Sequence, residues 1–150
     1  MERQESAVRR YWTGFWSRGD LTAAIDFYAP RFMFNGAEET AEAFVSGSLA
    51  WRKHFSQFTA TVDEIVVCRD RVMSRVTFRG THQTAFKTVP VTGRSIEVSG
   101  IDLFRFGDGH VVEHWHEADH YTMFAQLGAM PRLDAESFGG EVPGPSAGSI

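Results

Sequence analysis

The sequence predicts an α+β domain, with helices in its first third packed on an antiparallel sheet built from the remainder. Three observations carry this reading. Apolar residues recur at helical spacing up to about residue 55 and at a spacing of two from about residue 60. Helices that precede the strands, rather than alternate with them, give the α+β order. The dipeptide Asp108-Gly109, set between two alternating runs, is a strong signal for a tight hairpin, because both central turn positions need positive φ.

Taken in order, Val8, Trp12, Phe15 and Trp16 mark an amphipathic helix over about residues 2–18, ended by Gly19-Asp20. Asp20 caps a second helix from Leu21 to Ala29, stopped before Pro30, with Leu21, Ala24, Ile25 and Tyr28 facing inward. Arg31 to Asn35 reads as a short strand. Thr40 caps a third helix, Ala41 to Phe55, whose Phe44, Ser48, Trp51 and Phe55 form one stripe. Four strands follow: Thr59 to Cys68, Arg71 to His82, Ser95 to Phe106 and His110 to Asp119. In the second of these, Val72, Ser74, Val76, Phe78, Gly80 and His82 share one face, and Arg71, Arg75 and Arg79 the other. A short helix from Tyr121 to Leu127 closes at Gly128. From Pro131 to Ile150 the chain is rich in Pro, Gly and Ser with little apolar periodicity. The domain is therefore expected to span residues 1–130, followed by a disordered or loosely packed tail.

With 150 residues, 43% hydrophobic, and 13 Phe and 4 Trp, the chain suffices for one core and a pocket with aromatic walls. The net charge of -4 and a scatter of Lys and Arg without a basic stripe argue against nucleic acid as a partner. The single cysteine, Cys68, excludes an intramolecular disulfide and any CxxC motif; in the run EIVVCRD it is expected as a small buried residue. The first residues lack an apolar signal region and no segment reaches membrane-spanning length, so a soluble, cytoplasmic protein without a membrane partner is expected. Ile101, Leu103 and Trp115 on the outer sheet face suggest a homodimer.

The chemistry concentrates between Ser99 and Asp119. Alternation puts Val98, Gly100, Asp102, Phe104 and Phe106 on one face, and Val112, His114 and His116 on the matching face of the returning strand. Asp102 and His116 thus fall on adjacent strands among apolar residues. An acid and a base held together in a dry pocket suit proton transfer, while the same pairing also satisfies two buried polar groups in a purely structural role. Either Asp102 orients His116, which shuttles the proton, or Asp102 with a raised pKa is itself the base. His82, at the end of a core-facing row where a lone histidine is normally a satisfied polar group rather than a catalyst, is kept as a third catalytic candidate. Trp12, Trp51, Phe78, Phe104 and His114 are candidate substrate-binding residues, and Asp119 either meets substrate at the rim or caps the following helix. Two histidines at i and i+2, His114 and His116, resemble strand-borne metal ligands, but no second motif supports them, and neither a metal nor another cofactor is expected.

In its motifs the chain resembles the SnoaL-like polyketide cyclase family of the NTF2-like superfamily. The resemblance rests on Arg75-Val76 through His82, Val91-Thr-Gly-Arg94, Ser99-Gly-Ile-Asp-Leu-Phe-Arg105, Asp108-Gly109, Glu113-x-Trp115 and Gln126-Leu-Gly128, and spans most of residues 5–129. It implies a cone-shaped fold, its sheet curled around a pocket that opens toward the helices, often in a homodimer. It further implies cofactor-free ring closure of a hydrophobic small molecule by intramolecular aldol condensation. In the anthracycline members of the family a histidine matches Asp102 and an aspartate matches His116. Here the two residue types are exchanged. The superfamily also holds isomerases, dehydratases, epoxide hydrolases, hydroxylation partners and cyclases of other ring types, so fold alone does not choose the reaction, and a pericyclic, shape-driven cyclase or a non-catalytic protein that binds a hydrophobic ligand is the alternative reading.

Overall fold

A computed structural model describes residues 2–86 and 89–129. Helix α1 (Glu2–Arg10) runs directly into a π-helical segment, Tyr11–Ser17. The expected aromatic face is present, and in the wider π turns Tyr11 joins Trp12 and Phe15 in the core. Helix α2 (Leu21–Ile25) starts as expected, with the Asp20 carboxylate accepting the Thr22 N–H at 3.0 Å. It ends early. Leu21 and Ile25 are exposed instead of inward, and Ala23 and Ala24 pack in their place. The chain leaves the helix because Phe27 already joins the sheet, its carbonyl accepting the Val111 N–H at 2.8 Å.

Strand β1 (Tyr28–Phe34) therefore begins before Pro30, which is accommodated near its start. It pairs with a strand the sequence did not announce, β2 (Ala37–Thr40). Thr40 caps α3 (Ala41–Arg52), and Phe55, expected on that helix, opens β3 (Phe55–Cys68) instead. Strand β4 (Arg71–His82) matches its expected limits, and its whole expected inner row is buried. Strands β5 (Ser95–Gly107) and β6 (His110–Ala118) form the hairpin, and α4 (His120–Gln126) follows.

The curved sheet has six strands in the order β2-β1-β6-β5-β4-β3. It is mixed, because β1 and β6 run parallel, where an antiparallel sheet was expected. Alternation reports which face a residue occupies and carries no information on strand direction. The helices lie on the inner face, where Val8, Tyr11, Trp12 and Phe15 join Val72, Val76 and Phe104 in one apolar core. Cys68 is exposed rather than buried, since it ends β3 opposite Arg71 at the sheet margin. Among the described residues no helix is long and apolar enough to cross a membrane. The expected tail, residues 131–150, lies outside the described residues.

Candidate active site

The site is built by the β5–β6 hairpin. Asp108 and Gly109 take φ of 50° and 85°, as a tight turn with positive φ at both central positions requires. The turn sets a register that places Asp102 opposite His116 and Phe104 opposite His114. A shift between Arg105 and Phe106 corrects one expectation: Val111, not Val112, faces the core, because the strand bulges there.

Asp102 is fully buried and grips two imidazoles through one oxygen. His116 Nδ1 lies 2.7 Å and His114 Nε2 2.8 Å from Asp102 Oδ1. The chain of polar contacts continues inward, since Tyr28 Oη is 2.9 Å from both His114 Nδ1 and Tyr11 Oη. On the other side of Asp102, Ser74 occupies the opposing position on β4 and accepts the Trp12 indole N–H at 3.0 Å. Asp102, Ser74 and the two histidines thus form one polar band across the inner face of three strands.

The electrostatics follow from this geometry. Burial opposes the charge on Asp102, but the hydrogen bonds from His114 and His116, with the positive charge that His116 brings, outweigh it, and its pKa falls below the ordinary carboxylate value. Burial dominates at His114, whose pKa is lowered and whose imidazole is neutral. At His116 burial also acts downward, yet the Asp102 hydrogen bond and charge prevail and its pKa is raised. The hydroxyls of Tyr11 and Tyr28 are pushed up by burial and stay protonated.

These groups adjoin a cavity of about 420 Å³ between the sheet and α3 and the π-helical segment. Of the expected residues, Trp12, Trp51, Phe78, His114 and His116 line it. His116 has 26% of its side chain exposed, against 0% for Asp102 and 2% for His114. Asp102 therefore lies behind the wall.

Three expected residues are placed elsewhere. His82 is buried at the end of β4 with Nδ1 3.0 Å from the Thr92 hydroxyl, and is not a wall of the cavity. Phe104 is sealed beneath His114 in the core. Asp119 caps α4, accepting the Thr122 N–H at 3.0 Å, which is the helix-capping alternative. Conversely, Tyr11, Trp16, Phe34, Phe44 and Glu39 line the cavity without having been singled out for it. Trp16 and Phe44 were visible as helical stripes; Tyr11 needed the π-helix and Glu39 needed β2.

Gly100 shapes the same wall. It sits on the inner face of β5, and a Cβ there would stand 2.8 Å from Phe78 Cε2 and 3.1 Å from the Glu117 carbonyl oxygen. Gly100→Ala is expected to cost about 1–3 kcal/mol of stability by overpacking, and to drive the Phe78 ring toward the cavity. Urea unfolding of the two proteins measures this directly, and equal stability would show that the close approach carries no constraint.

The donor atoms of Asp102, His114 and His116 lie within 4.8 Å of one another, a possible metal set. Both imidazole nitrogens, however, stand 2.7–2.8 Å from Oδ1 itself. Donors around a tetrahedral ion with bonds of ~2.1 Å would be about 3.4 Å apart. The arrangement is that of a hydrogen-bonded carboxylate, and a cation would have to displace Oδ1.

Comparison with known proteins agrees with this architecture. A family profile described as SnoaL-like polyketide cyclase matches residues 6–127. No protein of curated function matches. Among solved structures, the chain is similar to IdmH from Streptomyces antibioticus, a candidate polyketide cyclase, with 31% identity over 83% of this chain and 98% of that one, at a TM-score of 0.75. It is similar to AclR from Streptomyces galilaeus, a candidate hydroxylase, with 28% identity over 87% and 99% of the two chains and a TM-score of 0.76. TsrD from Streptomyces laurentii shares the fold at 24% identity, covering 86% and 97%, with a TM-score of 0.78. By fold, by the span of the profile match and by these likenesses, the chain belongs to the SnoaL-like polyketide cyclase family.

Proposed function

We propose that this protein is a cofactor-independent cyclase that closes a ring in a polyketide or related intermediate by aldol-type acid/base chemistry, with His116 as the proton-transferring group. One observation carries the proposal. His116 faces an aromatic cavity while its Nδ1 is fixed on the buried, ionised Asp102.

That contact selects the tautomer. Nδ1–H donates to Asp102, so Nε2 carries the lone pair available to substrate. Nε2 removes a proton from the carbon next to a substrate carbonyl, and the Asp102 charge stabilises the imidazolium that forms. The carbon so activated attacks a second carbonyl of the same molecule, one carbon–carbon bond forms, and the electron pair of the carbonyl moves to its oxygen. His116 returns the proton to that oxygen. No atom is gained or lost, and no oxidant is needed. Asp102 is the weaker candidate for the base, because its side chain is fully buried behind His116. His114 is a positioning residue that holds Oδ1 from the far side.

Enolisation can be read without the natural substrate. In D2O the protein is expected to accelerate deuteration of the acetonaphthone methyl group, followed by proton NMR, and His116→Ala to abolish the acceleration. A base must be neutral, so the rate should climb with pH through a midpoint above the ordinary histidine value of 6.5, because Asp102 raises the His116 pKa. Asp102→Asn should move that midpoint down. Exchange that persists in His116→Ala, or a pH profile unmoved by Asp102→Asn, would overturn the assignment.

A further inference from the structure

The cavity carries a second ionisable feature at a distance from the dyad along the sheet. Glu39 pairs with Phe32 across β1–β2, and alternation therefore turns it to the inner face with that buried phenylalanine. Its neighbour Glu38 faces outward and pairs with Arg31. Glu39 is half-buried, lines the cavity, and has no hydrogen-bond or ion-pair partner among the described residues. Among the described residues no Lys or Arg lines the cavity. Among the described residues the cavity's imidazoles are those of His114, His116 and His120, the last on α4.

A ligand that fills this space dehydrates the Glu39 carboxylate, which is unfavourable unless the ligand supplies a charge or donor in return. The surrounding wall favours one kind of group. Trp16, Phe34, Phe44 and Trp51 present aromatic rings to the same cavity, and ring faces attract cations. A carboxylate beside aromatic rings matches a protonated amine, and repels a carboxylate.

We infer that Glu39 is a specificity-determining residue, and that the substrate is an apolar molecule bearing a basic amine, which this carboxylate and the aromatic wall bind together. The inference rests on the cavity being the substrate site, as proposed above, but not on the chemistry at His116. An inward-pointing charge on an edge strand also guards against strand-to-strand aggregation, and that role would leave ligand preference untouched.

Three probes of one shape separate the two roles: naphthylmethylamine, naphthylmethanol and naphthoate, titrated by quenching of tryptophan fluorescence. The amine is expected to bind at least about tenfold more tightly than the alcohol, with naphthoate weakest. Glu39→Gln should bring amine and alcohol to equal affinity. Titrated above the His116 midpoint, where the imidazole is neutral in both proteins, Asp102→Asn should leave the preference intact, which keeps this test separate from that of the acid/base reading. Equal binding of amine and alcohol by the parent protein would overturn the inference. So would a preference that survives Glu39→Gln, or that disappears in Asp102→Asn. Because Glu39 lies on a short edge strand, the fold of Glu39→Gln is checked by circular dichroism. If it fails to fold, Glu39→Asp serves in its place: it keeps the charge but shortens its reach, and an unchanged amine preference there would likewise count against the inference.

Discussion

Asp102→Asn is expected to lower turnover by about 10²–10⁴-fold while the protein stays folded. Asparagine has nearly the same shape, so the packing between Ser74 and the two histidines survives. The charge does not. Two imidazole nitrogens meet a single oxygen, Oδ1, at 2.7 and 2.8 Å, and a carboxylate can accept from both. An amide oxygen accepts more weakly, and if the amide flips, its NH₂ group faces nitrogens that must then act as acceptors. His116 loses both the tautomer that frees Nε2 and the counter-charge for its imidazolium, and these act only as the proton moves. The loss should therefore fall on kcat rather than KM. Among the described residues Asp102 Oδ2 is buried without a partner, so an amide nitrogen there breaks no existing hydrogen bond, and folding is expected to persist with some loss of stability because the ionised carboxylate is net stabilised. Steady-state kinetics with circular dichroism measure both quantities. Full turnover in Asp102→Asn would remove the dyad from the mechanism.

The dyad was legible because its geometry is short-range. The Asp108-Gly109 turn fixes the hairpin register, and register plus alternation places Asp102 beside His116 without reference to the rest of the fold. The same reasoning gave His82 the correct face and the wrong neighbourhood. Alternation assigns a side of the sheet, whereas the cavity covers only part of that side, and His82 lies at the β4 end beneath Phe55, hydrogen-bonded to the loop at Thr92. Val112 was misplaced by a bulge that leaves no mark in the hydrophobic pattern. Tyr28 was read as helical because it follows a capped helix, yet pairing with β6 draws it into the sheet, where its hydroxyl meets His114. Strand β2, Ala-Glu-Glu-Thr, has no apolar alternation to announce it, so the one carboxylate it turns inward was invisible until β1 paired with it.

Phe104→Ala is expected to destabilise the protein by about 3–5 kcal/mol. The sequence made Phe104 a candidate for substrate contact, since it shares the inner face with Asp102. In the structure it is 0% exposed, between Val72 on β4 and His114 on β6. Its ring lies 5.2 Å from Phe27, 5.9 Å from Tyr11 and 4.4 Å from His114, centre to centre. Truncation removes the contact shared by the π-helical segment, Phe27 ahead of β1 and the hairpin, and the surrounding rings are held by their own packed elements and cannot collapse into the space. The void opens directly beneath His114, whose hold on Asp102 depends on a dry, fixed floor. Activity should therefore fall with stability. Affinity for a cavity-filling probe such as naphthylmethanol, measured below the unfolding transition, should change little. Phe104→Leu, which keeps most of the apolar volume, should recover most of the loss. Guanidinium unfolding of the three proteins decides between core and wall. A small loss of stability with a large loss of probe affinity would return Phe104 to the substrate site, whereas the reverse fixes it as the support on which the Asp102–His114 contact rests.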